Sequence, residues 1–120
     1  MFGNLADLVN GDAALVRRGR HLDVDFLIVD GEEPYWISVR QGRIQEVRRG
    51  NGLLQSWRFA IRASAEGWRE FMKPRPRPGF HDIFAMCKAG VASVEGDLQP
   101  LMANLRFVKD VLAAPRATSR

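Results

Sequence analysis

Acid–base, nucleophilic or metal chemistry in this 120-residue chain would first be sought at His21, at His81 with its neighbour Asp82, and at Cys87. A nucleophile needs a base within hydrogen-bond reach, and that base needs a third group to orient it. His21 opens a strand-like pattern and His81 a helical one, with no Ser, Cys and acid set at a recognisable spacing. On a helix, His81 and Asp82 would not face each other, so His81 is expected to cap a helix or face solvent. One cysteine excludes an internal disulfide and a cysteine-based metal cluster, leaving Cys87 as a small apolar filler. Gly50-Asn51-Gly52 lacks the helix and lysine that a phosphate loop requires. The expectation is therefore binding without catalysis, with no metal and no cofactor.

Charge is the next signal. The formal net charge is +4, and hydrophobic and charged residues make up 46% and 27% of the chain, the balance of a folded domain with a bias toward acidic partners. Most of the arginines are scattered through every element and read as solvated faces. Nucleic-acid binding would use Arg58 and Arg62 on an open sheet face, with Trp36 for stacking. Asp23 and Asp25 on the same face would repel phosphate. No apolar run approaches the roughly 20 residues of a membrane helix, and no basic start leads into an apolar stretch. A cytoplasmic location is expected.

The elements that must position any site follow from periodicity. Asn4 and Asp12 are N-cap types ahead of two short apolar turns. From His21, Leu22, Val24, Phe26 and Ile28 alternate with Asp23 and Asp25, which predicts a half-buried strand. Asp30-Gly31 turns the chain into a second strand carrying Tyr35, Ile37 and Val39. Gln41-Gly42 turns it into a third, over residues 43–48, whose alternation slips as at a bulge or an edge. Residues 57–63 alternate again as a fourth strand.

After Ser64, an N-cap type, the period becomes helical through Trp68, Phe71 and Met72, until Pro74 ends the helix. A second helix is predicted over residues 80–89 with a stop at Gly90. A short strand follows over 91–95, and one helix over 98–112 is capped by Asp97, with Pro100 in its first turn. Residues 114–120 are expected to form a disordered tail. One domain results, of the α+β class: a five-stranded, mostly antiparallel sheet with helices packed on one face.

The stretch "AGVASVEGD" at 89–97, followed by the apolar helix, resembles the C-terminal signature of the sterol carrier protein 2 family. There a helix ends in glycine, a short strand alternates into Gly-Asp, and an amphipathic helix follows. The preceding order of strands and the Phe71-Met72 pair agree, so the resemblance spans about residues 20–113. Val91 and Ser93 stand where the family often has lysine, and the chain lacks a C-terminal peroxisomal tripeptide.

The resemblance implies a carrier that holds a fatty acyl chain, acyl-CoA or sterol between sheet and helices, with transient membrane contact and a homodimer as further possibilities. An accessory domain serving a lipid-metabolising enzyme, with no ligand of its own, is the alternative, beside nucleic-acid binding. Under this reading the apolar ligand would meet Phe26, Ile28, Ile37, Phe59, Ile61, Phe71, Met72, Phe84, Met86, Met102 and Leu105. All of these would serve equally in a solid core; the methionines suit an adaptable cavity. Arg75, Arg77 and His81 would stand at the entrance. The segment "MKPRPRPGF" at 72–80, which holds the two arginines, reads as a stiff strap between roof helices, or as a ligand for a proline-reading domain.

Overall fold

The computed structural model describes residues 2–50 and 56–118. Its elements are α1 (Leu5–Asn10), α2 (Ala13–Arg18), β1 (Asp23–Asp30), β2 (Glu33–Arg40), β3 (Arg43–Arg49), β4 (Phe59–Ala63), α3 (Ala65–Phe71), α4 (Ile83–Lys88), β5 (Ala92–Gly96), α5 (Gln99–Ala103) and α6 (Leu105–Ala113). A 3-10 helix, Ala114–Thr118, completes the described chain. The sheet order is β3-β2-β1-β4-β5.

The first three strands form a meander. Phe26 pairs with Ile37 and Ile28 with Tyr35 across β1 and β2. Gln41 and Gly42 both take positive φ, 54° and 78°, in the tight turn to β3, which suits the right-handed twist of the hairpin. The slip in the third strand's alternation is a register shift at Ser38/Val39, and β3 is a sheet edge.

β4 then lies beside β1 and parallel to it, with Phe26 opposite Phe59 and their rings stacked at 4.9 Å. β5 pairs antiparallel with β4, Ile61 opposite Val94. The sheet is thus mostly antiparallel with one parallel pair. Ser56 and Trp57, just ahead of β4, lie over the face opposite the helices. Trp36 donates its indole N–H to the Ser56 carbonyl at 3.0 Å, and Trp57 packs on Leu27, Val29, Trp36 and Ala60. The strand predicted from residue 57 accordingly begins at Phe59. Asn51 and Gly52 of the expected glycine link lie outside the described residues.

On the other face, Ser64 caps α3 by accepting from the Gly67 N–H at 2.9 Å, and Trp68 inserts beneath the sheet, its indole donating to the Val29 carbonyl at 2.8 Å. Phe2 and Phe71 meet the Trp68 ring edge-on. The helix predicted over 80–89 starts later, at Ile83, because Asp82 is the cap: its carboxylate accepts from Phe84 and Ala85.

The helix predicted over 98–112 is two helices. Asn104 (φ −128°, ψ 35°) breaks it, and its side-chain amide donates to the Pro100 carbonyl at 3.0 Å. That break changes which residues face inward: Leu101, Phe107, Val108, Val111 and Leu112 are buried, whereas Met102 is 56% exposed and Leu98 41%.

Candidate ligand cleft

Of the eleven apolar residues expected around a ligand, Phe26, Ile28, Ile37, Phe59 and Ile61 cover the helix-facing side of the sheet, and Phe71, Met72 and Met86 pack down on them in one buried cluster. Phe84 and Leu105 are half-buried against it. Met102 faces away, for the reason given by the break at Asn104. Buried side chains from both layers meet between sheet and helices, and a concavity with a floor in that same cluster lies at the margin of the helical layer.

That concavity is a cleft of about 210 Å³ where the end of α3, the start of α4 and the end of α6 converge. Phe71, Ile83, Leu112 and Ala113 form an apolar floor, the first three belonging to the core cluster. His81, Asp82, Lys109, Asp110 and Arg116 form the rim. Of the other concavities, one is lined by Gly31, Ala63, Ser64, Gly90 and the start of β5, and another mostly by polar and charged groups at Asp23, Arg40, Gln41, Arg43 and Gln45.

Arg116 organises the rim. Its Nε donates to the Phe71 carbonyl at 2.8 Å and one terminal nitrogen to the His81 carbonyl at 3.3 Å, while its guanidinium carbon lies 4.4 Å from the Phe71 ring centroid. Burial lowers its pKa from the usual arginine value, leaving a cation whose third nitrogen has no partner among the described residues. Lys109 Nζ lies 3.6 Å from Asp82 Oδ2 and 5.5 Å above the Phe84 ring. Burial pushes the Asp82 carboxyl up, but the Ala85 N–H, the charge of Lys109 and the Phe84 N–H outweigh it and hold it below its ordinary value. His81 Nε2, exposed, is 3.8 Å from the same carboxylate, beyond hydrogen-bond reach. The cleft can therefore receive an apolar group on its floor, and at its rim, where Lys109 faces Asp82 and Asp110 pairs with Arg18, Arg116 is the cation without a carboxylate partner among the described residues. Among the described residues, no group of three or more His, Cys, Asp or Glu side chains could hold a metal ion.

Of the three expected entrance residues, His81 lines this cleft. Arg77 is turned elsewhere: its Nε lies 2.6 Å from Glu70 Oε1, and its guanidinium sits over the Phe80 ring. Lys73 Nζ lies 3.1 Å from Glu70 Oε2 and donates to Glu70 Oε1 at 3.4 Å. Arg75 is exposed and has no partner among the described residues. Arg116 was missed because Pro115 read as a terminator and the residues beyond it as a tail. Instead, the 3-10 helix Ala114–Thr118 carries the chain on for another turn. A basic residue one turn past an apolar stripe that ends in Val111 and Leu112 was the available signal.

The residues invoked for nucleic-acid binding are occupied. Arg58 pairs with Asp97 at 2.6 Å and Arg62 with Glu95 at 2.7 Å, and Trp36 is buried against Trp57. The open face is thus close to neutral where a phosphate backbone would need free cations.

No family model matches the chain, and no curated protein sequence matches it. Solved structures do. A crystal structure of sterol carrier protein 2 superimposes with a TM-score of 0.73 at 13% identity, over 93% of this chain and 90% of that one. The ubiquinone synthesis protein UbiJ-SCP2 is similar at a TM-score of 0.56 and 18% identity, over 97% and 86%. The stereoselective inverting sec-alkylsulfatase Pisa1 from Pseudomonas sp. matches with a TM-score of 0.57 at 16% identity, over 88% of this chain but only 15% of its own.

Proposed function

The chain has the fold of sterol carrier protein 2, and from that premise we propose that it is a binding protein for an elongated apolar molecule with an acidic end, such as a fatty acyl chain. The observation that carries this reading is the cleft: a floor continuous with the core under a rim of His81, Asp82, Lys109, Asp110 and Arg116, in which Arg116 has no carboxylate partner among the described residues. Burying an acyl chain gains about 0.8 kcal/mol per methylene, enough to offset the cost of capture without covalent chemistry.

At about 210 Å³ the cleft is smaller than the ~300–1,000 Å³ typical of ligand pockets. A whole chain would be admitted by displacement of core side chains, and Met72 and Met86, both in the cluster above the sheet, are unbranched and able to re-pack. Membrane contact during exchange is compatible with this scheme. The described residues include no helix long and apolar enough to cross a membrane.

The test is lipid extraction of the purified protein with mass spectrometry, together with displacement of a fluorescent fatty acid. Ala113→Trp, which fills the cleft from its edge, is expected to abolish displaceable binding while circular dichroism stays unchanged. Absence of any co-purifying lipid and of any competing acyl ligand would instead favour an accessory domain without its own ligand. The occurrence of this fold as a 15% portion of the alkylsulfatase is the observation that keeps that second reading in view.

A further inference from the structure

The two edges of the sheet are treated differently. On β3 the outward-facing backbone of Ile44 is already used: Asn10 at the end of α1 donates to its carbonyl at 2.9 Å and accepts from its N–H at 2.8 Å. The β3 edge also carries the register shift beside Ser38 and exposed Arg43, Arg48 and Arg49. A covering helix, a bulge and edge charges are the devices by which proteins stop strands from pairing further.

β5, at the opposite edge, has neither the side-chain cover nor the bulge. Among the described residues its backbone bonds only to β4. It has no bulge and no proline, and its one charge, Glu95, is tied to Arg62. Directly after it come Leu98, the N-cap of α5, and Met102 within α5, the two large apolar side chains that are exposed among the described residues, about one helical turn apart.

We propose that β5 is a self-association edge, pairing antiparallel with β5 of a second copy about a two-fold axis through Val94. The occupant is specified by side-chain complementarity. Ala92 and Val94 face the core side, and Ser93 and Glu95 face the open side. Antiparallel pairing that keeps matching faces together must set one residue opposite itself. Centring on Glu95 opposes two carboxylates, and centring on Ser93 leaves Gly96 unpaired. Centring on Val94 pairs the whole strand, Ala92 with Gly96 and Ser93 with Glu95, with no like charges opposed.

A five-residue strand pair alone falls short of the roughly 1,200 Å² that stable interfaces bury. Leu98 and Met102, which follow β5, supply the apolar remainder. The pairing is independent of whether the cleft holds a ligand.

Sedimentation velocity of the full chain over a concentration series tests this. A reversible dimer is expected. Ser93→Glu sets two symmetry-related carboxylate pairs against each other and is expected to weaken the dimer by about tenfold. The monomer tolerates it, because Arg62 on β4 lies opposite position 93. Leu98→Ser with Met102→Ser is expected to weaken it further. Hydrogen exchange of wild-type residues 92–96 should slow as concentration rises, a readout that requires no variant. A monomer at every concentration overturns the proposal and leaves the edge open or free for another protein's strand. A dimer unmoved by Ser93→Glu, with no concentration-dependent protection at β5, overturns it equally.

Discussion

Arg116 holds Phe71 twice, donating to its carbonyl at 2.8 Å and lying with its guanidinium carbon 4.4 Å from its ring centroid. One side chain on the 3-10 helix after α6 thereby ties that segment to the last residue of α3, and through the His81 carbonyl to the approach to α4. The rim of the cleft is fixed to its floor by this contact.

Removing that tie has two separable effects. Arg116→Ala is expected to destabilise the fold by about 1–2 kcal/mol, the range of a partly exposed charged hydrogen bond with a ring contact, measured by urea unfolding. It should also lower affinity for fatty acids more than for their methyl esters. Arg116→Lys, which keeps the charge without the planar fork, is expected to retain part of the discrimination. Equal losses for acid and ester would assign Arg116 to fixing the rim alone.

Asp82 gives the domain an acid-sensitive hinge point. Its carboxyl pKa is lowered in the folded state, so the unfolded chain binds the proton more readily. The stability it contributes is present above the ordinary carboxylate value of about 3.9 and is lost as pH falls through the lower folded value. Asp82→Ala is expected to cost about 1 kcal/mol at neutral pH through the lost cap. Asp82→Asn should show a shallower loss of stability on acidification than wild type, so the two unfolding curves converge at low pH.

The Pro-Arg strap is fastened by a single carboxylate. Glu70, with its side chain only 7% exposed, meets Arg77 at 2.6 Å and Lys73 at 3.1 Å. Both cations are largely exposed and can return to water when it is removed, so Glu70→Gln is expected to cost about 1–2 kcal/mol, below the ~3–5 kcal/mol of a broken fully buried pair. Faster hydrogen exchange at Phe80, whose N–H bonds to the Arg77 carbonyl, would locate the loosening in the strap. Unchanged exchange there would mean that the prolines hold the strap unaided.

Gly42 admits no side chain. Its φ is +78°, and a Cβ there would collide with the Val16 carbonyl oxygen and come within 2.8 Å of the Gly19 carbonyl carbon. Left-handed backbone costs a residue with a side chain about 1–2 kcal/mol, and forced overpacking adds about 1–3 kcal/mol. Gly42→Ala should lower the thermal midpoint sharply, while Gly50→Ala, whose Cβ would meet nothing within 4 Å, should lower it less.

Local rules carried most of the architecture into the sequence. Alternation located the strands, Ser64 marked the start of α3, and the slip after Arg43 marked the edge strand with its bulge. Errors arose where one residue's tertiary contact overrode a longer pattern. The apolar stripe from Leu98 to Leu112 reads as continuous because Asn104 is an ordinary helix residue until its amide turns to the Pro100 carbonyl. Met102 was consequently assigned inward. Arg116 is only partly legible: its place one turn past the apolar stripe is a signal, but its partners are carbonyls, and backbone acceptors leave no trace in residue type. The choice of β1 as the parallel partner of β4 is likewise absent from any local pattern, since it depends on where the chain rejoins the sheet.

That insertion of β4 also orders assembly. The meander of β1, β2 and β3 closes through two tight turns and needs no later residue, whereas the inner side of β1 stays unpaired until residue 63 has been made. Loop closure of that span is the slow, entropically costly step. During synthesis Phe26 and Ile28 lie along an open strand margin, the kind that recruits foreign strands. A chain stopped before β4 would therefore be the aggregation-prone species, and a nascent domain would be safest where β4 and the elements after it follow without pause.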